Sequence, residues 1–236
     1  MRTTTLLGSL LAILTVAVSA CSSQNRAISP EEVLKLAGST QAGKARQAAE
    51  ERLRAVIQAY TDHTPLSLGM IVIRDRCLGG AKTRRFDPNG YDPYKIKCSL
   101  SISAYCGADP KKMGDVLDSI LDGGDLTGSL IAFGHDYYRD HLVDYHRGQG
   151  PNPIGADAGE PTQLSNPDQT LSWDPVRDRN PRRMVPEPDV CLDHNPPVTR
   201  CVVEPKSKTV AAIRNQYGMV FRLDLSVPEY YKVPKK

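Results

Sequence analysis

The chain has 236 residues, carries 30 Lys plus Arg against 27 Asp plus Glu, and is 40% hydrophobic. A balance this close to neutral gives no electrostatic footprint for nucleic acid. The length suits one domain with elaborations rather than several domains.

The opening stretch, MRTTTLLGSLLAILTVAVSAC, has a single charge, Arg2, and is mostly apolar from Leu6 to Val18. That run is too short for a comfortable membrane span of ~20 residues but suits the core of an export signal. It ends in Val18-Ser19-Ala20-Cys21, which resembles the lipobox of bacterial lipoproteins. The resemblance covers these first residues only. It implies cleavage of residues 1–20, with Cys21 as the first mature residue carrying thioether-linked diacylglycerol and often a third acyl chain. Chains in pairs or more hold a protein durably on a bilayer. The implied location is extracytoplasmic and lipid-anchored, on the outer leaflet of the plasma membrane or, after sorting that Ser22 would suit, on an outer membrane. No later apolar run approaches a span, so Cys21 is the membrane contact expected.

With Cys21 assigned to lipid, Cys77, Cys98, Cys106, Cys191 and Cys201 remain. They allow two disulfides and one leftover thiol, which fits an oxidising compartment. No CxxC pair occurs, so a zinc cage or thioredoxin-like site is not expected.

Ser22 to Ile28 reads as a polar tether reaching at most ~25 Å. Ser29-Pro30-Glu31-Glu32 reads as a helix start, a capping serine followed by proline at the first helical position. Gly38 and Gly43 are expected to interrupt this helix. A stronger amphipathic helix is predicted from about Lys44 to Asp62, with Ala49, Leu53, Val56, Ile57 and Tyr60 on one stripe and Pro65 as the stop. Leu68 to Ile73 reads as a buried strand. Ile96 to Tyr105 alternates Ile96, Cys98, Leu100, Ile102 and Ala104 against Lys97, Ser99, Ser101, Ser103 and Tyr105, an antiparallel strand with one packed and one wet face. Antiparallel pairing of these strands brings Cys77 to Cys98, and a disulfide is expected there.

The hairpin loop between them holds Lys82, Arg84, Arg85, Lys95 and Lys97 against Asp87 and Asp92, a local +3 that reads first as a solvated loop and second, beside an anionic leaflet, as a patch for headgroups. Its Asp87-Pro88-Asn89-Gly90-Tyr91-Asp92 opens like a calcium loop but has Tyr91 at the third ligand and Cys98 at the closing acid. Turn chemistry accounts for it.

Asp109-Pro110 opens a helix with Met113, Val116, Leu117, Ile120 and Leu121 inward, ended by Gly123-Gly124. Ser129 to Phe133 is a further strand candidate. From 148 to 205 the chain holds eleven of its 18 prolines and shows no periodicity. It reads as an irregular insertion draped over the domain, pinned by Trp173 and a Cys191–Cys201 disulfide. Ser207 to Tyr217 is a short helix stopped by Gly218, and Met219 to Leu225 a last strand that alternates Met219, Phe221, Leu223 and Leu225 against Val220, Arg222 and Asp224. The fold class expected is α+β: an antiparallel sheet of about four strands with amphipathic helices on one face. Its domain spans 29–147 and 206–236, with 148–205 inserted.

The densest reactive cluster is HDYYRDHLVDYH, His135 to His146. A metal site there would draw on His135, His141, His146, Asp136 or Asp140. On one straight helix, however, His135 and His146 stand ~16 Å apart, and His141 points elsewhere. Tyr138, Leu142 and Tyr145 are the expected buried stripe. GxSxG, HExxH, SxxK and GxxxxGK[ST] are all absent. The functional expectation is therefore a non-enzymatic envelope lipoprotein, with no cofactor, that binds another protein or a small ligand. The alternative is a metal-dependent hydrolase built on His135 to His146.

Overall fold

The computed structural model describes residues 28–80, 92–178, 180–189 and 198–235. The lipobox with Cys21, the Asp87–Tyr91 turn and Cys191 lie outside them.

Two serine caps start the fold. Ser29 Oγ accepts from the Glu32 N–H at 3.1 Å and Ser39 Oγ from the Ala42 N–H at 3.2 Å, satisfying donors that the first helical turn leaves free. They open α1 (Pro30–Ala37) and α2 (Thr40–His63). Gly38 caps α1 as expected, but Gly43 lies inside α2. β1 (Ser67–Gly79) and β2 (Tyr94–Ala108) form a long antiparallel hairpin with Cys77 opposite Cys98. Their disulfide is formed. Cys201 is also disulfide-bonded, and Cys106 is the buried free thiol.

α3 (Met113–Asp125) runs through Gly123-Gly124 instead of stopping there. Those glycines serve close approach. A Cβ on Gly124 would collide with the Phe133 carbonyl and lie 2.9 Å from the Gly134 nitrogen. The segment from Ser129 to Phe133 is not a strand. Its backbone bonds to a side chain instead: Gln169 Nε2 donates to Leu130 O at 2.7 Å, and the Ala132 N–H donates to Gln169 Oε1 at 3.3 Å. The amide of Gln169 thus takes the place of a ladder partner. α4 (Tyr137–Arg147) follows, capped by Asp136.

The 148–205 region contributes three strands, so the insertion is not irregular throughout. β3 (Gln163–Ser165) pairs with β4 (Gln169–Trp173), and β5 (Val198–Glu204) pairs with β1. α5 (Val210–Tyr217) and β6 (Met219–Pro234) complete the chain. The sheet has six strands among the described residues rather than about four, in the order β3-β4-β6-β2-β1-β5, and every neighbouring pair is antiparallel.

One face of the sheet carries the main core. Ile71, Ile73, Leu100, Ile102, Ala104, Phe221, Leu223, Leu171 and Trp173 pack with the stripe of α2 and with Val116, Leu117, Ile120 and Leu121 of α3. Helices were expected on this face alone, but α5 lies on the other. There Val210 and Ile213 cover Met70, Val72, Tyr105 and Val220. Gly69 and Gly107 admit it, because a Cβ at either would collide with Ile213 or Tyr217. Tyr105, expected on the wet side, is therefore buried. Asp174 locks this arrangement: one carboxylate accepts from the Val185 N–H at 2.7 Å, the Val220 N–H at 2.9 Å and the Arg214 guanidinium.

Candidate functional site

The histidines of the 135–146 stretch separate. α4 begins only at Tyr137, so His135 precedes the helix and turns toward α3. Its Nδ1 lies 2.7 Å from Asp125 Oδ2 and its Nε2 3.2 Å from Asp118 Oδ1. Burial pulls the His135 pKa down, but the hydrogen bonds from Asp125 and Asp118 more than offset it and leave it raised. Arg147, at the far end of α4, reaches Asp118 at 2.7 Å and Asp115 at 3.0 Å. The cluster fastens α4 to α3 by charge, and both nitrogens of His135 are spent on it.

The other candidates have structural partners or face away. Asp136 caps α4, accepting from the Arg139 N–H at 3.0 Å. Asp140 stands in the first turn of α4. His141 packs edge-on against the Tyr137 ring, with centroids 4.2 Å apart. Tyr138, assigned to the buried stripe, is 42% exposed, and Val143 takes its place beside Leu142 and Tyr145. Among the described residues no three His, Cys, Asp or Glu side chains converge as a metal set.

His146 points into the core, its side chain wholly buried. It lies edge-on to Tyr145 and Trp173. The Glu160 carboxylate is 3.8 Å from Nδ1, too far for a hydrogen bond, and is already held by the N–H groups of Val176, Arg177 and Asp178 at 2.8–3.0 Å. Both imidazole nitrogens lack a hydrogen-bond partner. Burial pushes the His146 pKa down to about 4.

The surface that gathers open polar groups is on the α5 side of the sheet, where that short helix stops covering it. Cross-strand register sets Arg74, Ser101 and Ser226 in one row, and Ser103, Asp224 and Thr170 in the next. Arg222 follows beyond, opposite Tyr105 and Ser172. With Pro167 and Asp168 of the β3–β4 turn and Gln169 at the start of β4 as a wall, these residues line a groove of ≈ 240 Å³. Within it Ser103 donates to Asp224 at 2.6 Å, and Arg222 Nε donates to the same oxygen at 2.9 Å. Arg74 donates to the Asp189 carbonyl at 3.0 Å. Arginines offer only donors, carboxylates only acceptors, and the hydroxyls of Ser101, Thr170 and Ser226 offer both.

A second hollow of ≈ 280 Å³ lies between α2 and β5. Its charges are consumed internally: Glu50 pairs with Arg54 and Arg200, and Arg46 with the buried Asp75. Of the groove on the sheet, the sequence showed the wet alternation of Ser99, Ser101 and Ser103 and of Arg222 and Asp224. It did not show that β6 lies beside β2, which is what joins them. Thr170 went unmarked because β4 was not read as a strand, and Arg74 because the first strand was read as ending at Ile73. The chain matches no known protein family, no curated protein and no solved structure.

Proposed function

We propose that this protein is a lipid-anchored bacterial envelope protein, held through an acylated Cys21, whose polar sheet face binds a hydroxyl-rich ligand such as a soluble saccharide. The observation that carries the binding reading is the groove itself. It sets donor-only, acceptor-only and dual-capacity side chains on four neighbouring strands of one sheet, with an arginine–carboxylate pair (Arg222–Asp224) among them. A sugar hydroxyl donates and accepts at once, so vicinal hydroxyls match this alternation better than an anion or an apolar group would. The Cys77–Cys98 disulfide supports a location outside the reducing cytoplasm.

The test is a titration of the mature protein with a panel of soluble oligosaccharides and polyols, following the backbone amides of Ser101, Ser103, Thr170, Arg222 and Ser226. Shifts confined to these residues are expected, with Arg222→Ala weakening the interaction about tenfold, the worth of one to two hydrogen bonds. Shifts elsewhere, or none with any sugar, overturn the reading.

A further inference from the structure

The far end of the β1–β2–β6 ribbon carries a second surface, distinct from the groove. Register sets Leu78 of β1 opposite Lys97 of β2, and Lys97 opposite Lys232 of β6. Arg76, two residues before Leu78, shares their face. Leu78 is 38% exposed. Among the described residues, the carboxylate paired with these lysines is Glu229, 3.6 Å from Lys97 and 3.4 Å from Lys232. Lys95 stands next along β2. The acids that open α1, Glu31 and Glu32, belong to the opposite side of the ribbon, where Val33 and Ala37 pack on Cys77, Ile96 and Cys98.

The chain enters the fold at this same end. Ile28 packs on Gly79, where a Cβ would lie 3.0 Å from its Cγ1, and Gly79 directly follows Leu78. From Ile28 back to Cys21 the chain reaches at most ~25 Å even when extended. The opposite end of β2 is about 36 Å from Lys97 at ~3.3 Å per residue.

We infer that this basic, leucine-bearing end of the ribbon rests on an anionic lipid surface beside the anchor. The inference rests on the proposed acylation of Cys21 for its geometry. Clustered Lys and Arg gain from a negative leaflet only within about a Debye length, ~8–10 Å, and the short tether holds Arg76, Lys95, Lys97 and Lys232 within reach of that distance. Leu78, exposed among them, reaches toward the headgroup boundary. The α3–α4 end then points away from the bilayer.

The experiment is acetylation footprinting of the mature protein, purified from envelopes and reconstituted in vesicles of phosphatidylcholine with or without phosphatidylglycerol. The mass of its N-terminal peptide is read first. On phosphatidylglycerol vesicles, Lys95, Lys97 and Lys232 should react about fivefold more slowly than on neutral ones, and recover in about 1 M salt, where the Debye length is ~3 Å. Lys111 and Lys112, beyond the opposite end of β2, should not change. Equal rates on the two vesicles, with the acyl mass present, overturn the docking and leave the anchor standing. If the acyl mass is absent, the anchor reading fails. The same protein is then sedimented with both vesicles, and retention no greater on the anionic ones overturns the docking as well.

Discussion

His135 and His146 show how one residue type takes opposite roles eleven positions apart. Sequence spacing put them on the same face of one helix. The Asp136 cap starts α4 too late for that, and what buries His146 is Trp173, which no local pattern brings near. Their titrations oppose each other. A neutral imidazole in the unfolded chain titrates near 6.5. For His146, buried and held down to about 4, the unfolded chain takes the proton first as pH falls. Stability is therefore lost between about pH 6.5 and about 4, by roughly 3 kcal/mol over the full difference. His135, with its pKa raised by Asp125 and Asp118, adds stability that is fully present below the unfolded value and is lost as pH rises through the folded one. Its exposure makes that contribution small. Urea unfolding at about pH 7.5 and about pH 4.5 checks this: His146→Leu should shed most of the acid-side loss, and His135→Ala should not.

At the scale of elements, the sequence was most legible where a pattern is local. The α2 stripe, the α1 cap and the alternation of β2 from Ile96 to Ile102 appear as read, since each depends on neighbours within a turn or a pleat, while Ser103 and Tyr105, expected on the wet face, are buried. Glycines misled because they have two uses. Gly43 and the Gly123-Gly124 pair were both read as breaks, and both lie inside helices. Their substitutions should separate. Around Gly43 there is nothing within 4 Å of a Cβ, so Gly43→Ala should stabilise by about 0.5–1 kcal/mol through helix propensity alone. Gly124→Ala meets the Phe133 backbone and should destabilise by about 2–3 kcal/mol, since backbone gives way less readily than a side chain. Chemical denaturation of the two variants reads both signs. Ser129 to Phe133 failed as a strand for a related reason: its buried Ile131 and Phe133 are apolar as a strand's would be, but the groups they line up with are a helix and one glutamine side chain.

For the whole molecule, the class was visible and the extent was not. β3 and β4 have three and five residues, shorter than the windows in which periodicity declares itself, and they sit among prolines that read as irregular chain. The Cys77–Cys98 bond was legible because a hairpin makes its own register. It joins residues 21 apart on the hairpin, within the small cluster of Val33, Ala37 and Ile96 that lies apart from the main core. Replacing both cysteines by alanine should lower unfolding free energy by about 3 kcal/mol on the chain-entropy scale, measured as a shift in the urea midpoint.

The position of β6 in the sheet sets a timetable. It lies between β4 and β2, yet follows both in the chain by many residues, so the sheet cannot close until residues 219–234 are free to pair. Before that moment the β1–β2 hairpin with β5 and the separate β3–β4 hairpin can pair, but among the described strands nothing joins the two. On the proposed export through a narrow pore, a chain built this way would stay threadable for most of its passage and commit to its final form late. Pairing across such sequence distances is also slow, which would give the proposed export a further margin over folding.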